Sequence, residues 1–80
     1  MNGRLVTMNL SDNRRARAVY RLHESSRALA AAGDTARLVF AVQLLVCIEG
    51  QPVDDRTTAA ALRDPSVCQA ARHLLTLAGV

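Results

Sequence analysis

Aromatic side chains are nearly missing from this chain. Tyr20 and Phe40 are the only two, and there is no tryptophan. A core built on large rings is therefore excluded, and the interior must be aliphatic and alanine-rich. Side chains of that size let helix backbones approach closely but bury little area each. Lysine is also absent, so every basic residue is arginine, a pattern that GC-rich coding explains without a functional reason.

The residues that usually carry chemistry are few and scattered. His23 and His73 lie far apart in the sequence. Cys68 and His73 would face different sides of one helix, so they cannot share a metal. No CxxC, HExxH or GxSxG pattern occurs. The four glycines never cluster, which removes a phosphate-cradling loop. Asp54 and Asp55 are adjacent at a helix start, where capping is the expected role. No catalytic residue, cofactor or metal is expected. His23, in "RLHESSRAL", lacks the Lys and Gly that histidine phosphotransfer domains place just after theirs; Ser26 and Arg27 stand there instead.

No long apolar run is present either. The longest, "LVFAVQLLVCI" from Leu38 to Ile48, is too short for a bilayer, which needs about 20 residues. The opening residues hold no apolar leader-like stretch. A cytoplasmic protein with no membrane contact is the expectation, with Cys47 and Cys68 as buried, reduced thiols.

Half of the 80 residues are hydrophobic, and the net charge is +3. A chain of this size buries only about 60–65% of its unfolded surface. Its core supplies roughly 3–5 kcal/mol. The charge is uneven. In residues 1–40, seven arginines less Asp12, Glu24 and Asp34 give +4; in residues 41–80, three arginines less four acids give −1. An acidic partner for the first half is implied.

Read along the chain, the pattern predicts an all-α single domain, a small bundle of about four helices completed by homodimerisation. Residues 4–10 alternate weakly, as a short strand or a flexible arm would. A first helix runs from a cap at Ser11 or Asp12 to about Ala32. Val19, Leu22, Ser26, Leu29 and Ala30 share its apolar face, with Arg14, Arg17 and Arg21 opposite. Gly33 suits its C-terminal position and Asp34 the next N-cap. The second helix, Thr35 to Glu49, has no polar face and should be the buried centre of a hairpin spanning 11–49. Residues 52–80 form a helix pair, Asp55 to Arg63 and then a helix capped by Asp64 with Pro65 at its first position. The outer helices leave one side of the central helix bare. A second copy would cover it through Val39, Phe40, Val42, Gln43 and Val46.

The expected function is that of a small non-enzymatic regulator that binds another protein, in the manner of an adaptor, chaperone, antitoxin or phage-type inhibitor. Arg14, Arg17 and Arg21 are its candidate contacts. DNA is the alternative partner. The stretch "RLVTMNLSDNRR" resembles the start of ribbon-helix-helix repressors. The resemblance covers residues 1–49 and implies a strand lying in the major groove, with Arg4, Thr7 and Asn9 reading bases and the Gly33–Asp34–Thr35 turn meeting phosphate. The first helix is longer than the family's, and residues 51–80 have no fixed counterpart there. A helix-turn-helix in "TTAAALRDPSVCQAARHLL" is a weaker option, since Arg72 is the only base on its second helix.

Overall fold

The computed structural model describes residues 11–80. Among these residues five helices follow one another: α1 (Asp12–Glu24), α2 (Ser26–Ala32), α3 (Asp34–Ile48), α4 (Asp55–Leu62) and α5 (Pro65–Ala78). No strand occurs among the described residues, which are all-helical as expected. The 4–10 strand, with Arg4, Thr7 and Asn9, lies outside the described residues.

The long first helix of the sequence reading is two helices. The chain breaks at Ser25 (φ −93°, ψ 5°), whose N–H donates to the Arg21 carbonyl while its own carbonyl accepts from Leu29. Ser25 and Ser26 are adjacent in the middle of the segment. Serine hydroxyls compete with the helical ladder, and serine pairs recur at such kinks. The break changes which residues are inside. Leu22 and Leu29 are buried, Val19 and Ser26 are half-buried, and Ala30 is exposed.

Gly33 joins α2 to α3 at φ +95°, a backbone region open to glycine. It is also the N-cap of α3. Asp34, expected as that cap, is instead the first helical residue and pairs with Arg37 one turn on. An acid at this place still favours the helix through its dipole.

α3 touches each of the other four helices, which makes it the centre of the fold. Ala41, Val42 and Leu45 are fully buried on it, and Leu44 and Val46 nearly so. Its β-branched residues do not turn it into a strand, because burial on several sides outweighs their slight helix penalty. One side stays open: Ala36, Phe40 and Gln43 are half-exposed and Cys47 is exposed. Those positions recur every three or four residues, so they form one stripe.

α4 and α5 start as their sequences dictate. Asp54 accepts from the Thr57 N–H at 2.8 Å, while Thr57 Oγ1 accepts from the Asp54 N–H at 3.1 Å, closing a capping box. The same box lowers the Asp54 pKa, chiefly through the Thr57 N–H. Asp64 accepts from the Ser66 N–H at 3.0 Å, and Pro65 opens α5. On α5 Val67, Ala71, Leu74 and Ala78 are buried and Ala70 and Leu75 half-buried, the face that the sequence marks as apolar. Gly79 ends it in the left-handed conformation, φ 73° and ψ 30°. None of the described helices is long and apolar enough to cross a membrane.

Candidate partner-binding groove

The arginine stripe lies beside the core face of α1, not opposite it. The buried residues of α1 are Ala18 and Leu22, so the inward direction runs through Ala18 and leaves Val19 to one side. Arg14 and Arg21 flank Ala18 on neighbouring turns of the same face, and Arg17 is next to it on the outer edge. Ala18 is buried between them at 1% exposure, while the three arginines are exposed.

Together these residues wall an open cavity of about 320 Å³. The α1 side is Arg14, Arg17, Ala18 and Arg21. The α3 side is Leu44, Cys47 and Ile48, at a spacing of three and four that gives one helix face. Among the described residues, no carboxylate lines it. All three arginines are exposed, and among the described residues none of them is in an ion pair. The groove therefore joins a row of unpaired cations to an apolar edge of half-exposed Ile48 and exposed Cys47 over the buried Leu44.

Cys47 corrects the expectation of two buried thiols. It is a free, exposed cysteine at the edge of this groove. Cys68 is half-buried, with its Sγ donating to the Leu62 carbonyl at 3.3 Å.

The expected oligomer face divides in two. Val42 and Val46 are buried by the chain's own helices, at 0% and 6% exposure, so a second copy cannot reach them. Val39, Phe40 and Gln43 are half-exposed and stay reachable. Among the described residues, no group of three His, Cys, Asp or Glu side chains could hold a metal ion.

The sequence reading missed the wall formed by Leu44, Cys47 and Ile48. Their common face was legible on α3. The approach of α1 that turns this face into a groove was not.

No protein-family model matches the chain, and neither a curated protein nor a solved structure matches it.

Proposed function

We propose that the chain is a non-enzymatic regulatory protein that works in the cytoplasm by binding another protein. The observation that carries this is the α1/α3 groove. Exposed arginines normally sit on a solvated face, with aliphatic residues packed elsewhere. Here Arg14, Arg17 and Arg21 share a concave surface with Leu44 and Ile48. Protein partners supply carboxylates and apolar side chains together, and such mixed surfaces favour arginine for its planar fork.

A second copy of the chain belongs to the same proposal. The half-exposed stripe with Val39, Phe40 and Gln43 is the side of α3 left for it, and a two-fold axis makes one patch complementary to itself.

DNA binding is the second reading. The exposed arginines of α1 favour it, since guanidinium also pairs with phosphate. Against it, a phosphate chain makes no use of the apolar edge.

Affinity capture with the wild type and with an Arg14→Ala, Arg17→Ala, Arg21→Ala variant separates the readings. A protein held by the wild type and lost by a folded triple variant supports the proposal. Retention of nucleic acid with a steep salt dependence, and of no protein, contradicts it.

A further inference from the structure

We infer that the groove between α1 and α3 takes an amphipathic helix of the partner protein, with one acidic stripe and one adjoining aliphatic stripe. This rests on the protein-binding reading above and specifies the partner's chemistry.

Arg14, Arg17 and Arg21 carry three positive charges into the groove, and no acid in its lining offsets them. Asp12 and Glu24 of α1 stand outside the lining, and the Arg37 ion pair is with Asp34. A purely apolar occupant would desolvate these guanidinium groups without pairing them, which disfavours it. The occupant must bring anions. Carboxylates fit, because guanidinium pairs with them bidentately.

A polyphosphate or nucleic-acid backbone would satisfy the arginines and leave half-exposed Ile48 and exposed Cys47 uncovered beside the buried Leu44. An occupant with aliphatic side chains beside its carboxylates covers both walls. At about 320 Å³ the cavity is at the small end for ligand pockets and is open, so a small molecule would stay largely exposed in it.

Spacing selects a helix. Arg14, Arg17 and Arg21 occupy successive turns, about 4.5 and 6 Å apart along α1. Acids on one face of a helix recur at the same intervals, so three pairs can form in step. Laying an apolar face into a groove is an established mode of helix recognition.

The test uses three stapled helical peptides. The first carries Glu at i, i+4 and i+7 and Leu at i+1, i+5 and i+8, which sets the two stripes about a quarter-turn apart. The second replaces each Leu by Ser, and the third replaces each Glu by Gln. Binding is followed by fluorescence anisotropy and by the alkylation rate of Cys47, with Cys68 as the internal reference. The first peptide should bind saturably and slow Cys47 alkylation without changing that of Cys68. Each control should bind at least about tenfold more weakly. The Arg14→Ala, Arg17→Ala, Arg21→Ala variant, checked for helicity, should lose the protection.

Equal binding of the Ser control would overturn the inference, since the groove would then be a general anion surface. So would an absence of Cys47 protection, or stronger protection by duplex DNA than by the first peptide. Failure of the broader reading looks different: partner capture would then be unaffected by the triple substitution. A captured partner that is lost by the triple variant, yet presents no acidic helix, would defeat the inference alone.

Discussion

The Nδ1 atom of His23 lies 3.3 Å from the carbonyl oxygen of Ala78, tying the end of α1 to the end of α5. That carbonyl belongs to the last turn of α5, where helical partners run out. Supplied with a proton on Nδ1, the imidazole donates to it. His23→Ala should lower stability by about 1 kcal/mol, the usual net worth of one such bond. Chemical denaturation checks this, and a variant as stable as the wild type would show the contact to be idle.

Thr58 is the reverse case. It is 8% exposed, and its hydroxyl has no hydrogen-bond partner among the described residues. A buried unpaired hydroxyl costs about 1–3 kcal/mol, and valine has nearly the same shape. Thr58→Val should therefore raise stability by about 1 kcal/mol, with unchanged helicity. A lower denaturation midpoint would mean that the hydroxyl is satisfied in solution.

The cap of α4 gives the protein a pH response. The Thr57 N–H holds the Asp54 carboxylate below its ordinary value of 3.8. A group depressed in the folded state contributes stability above its ordinary value and loses it as pH falls through the folded one. Asp54→Ala should melt lower than the wild type near neutrality, and the gap should narrow in acid. A gap that stays constant down to the bottom of the carboxylate range would contradict this role.

Two substitutions on α3 separate folding from self-association. Val42 is buried within one chain, so Val42→Arg leaves a charge unpaired inside at a cost of several kcal/mol. It should unfold the protein. Phe40 is half-exposed on the open stripe, so Phe40→Arg should keep the helicity and break the dimer. Light scattering should give twice the 8.6 kDa chain mass for the wild type and a single mass for Phe40→Arg. A wild type of single mass at micromolar concentration would remove the dimer from the account.

Much of this fold was legible one helix at a time. Asp64-Pro65 and the apolar spacing from Val67 to Ala78 define α5 completely. Asp54 and Thr57 announce the start of α4. The lack of a polar face on residues 35–49 marks α3 as central. What the sequence hid depended on neighbouring segments. The helical wheel of α1 runs smoothly into α2, and only the Ser25-Ser26 pair signals the break. Hydrophobicity favours Val19 over Ala18 as the inward residue, which rotates the expected core face and puts the arginines on the far side. In the folded chain Ala18 is buried instead and Val19 is half-buried, because α1 packs on both α3 and α5. The exposed side of Cys47 likewise follows from where α1 ends up, and Cys47 is apolar enough to read as core.

The central claim is that the α1/α3 groove is where a partner protein docks. A photo-crosslinking amino acid in place of Cys47, compared in living cells with the same group in place of exposed Arg56, tests it most directly. The account expects position 47 to capture a distinct second protein, position 56 not to, and the product to vanish when Arg14, Arg17 and Arg21 are alanine. Indistinguishable products from the two positions, or products at position 47 that contain only nucleic acid or this chain itself, would contradict it.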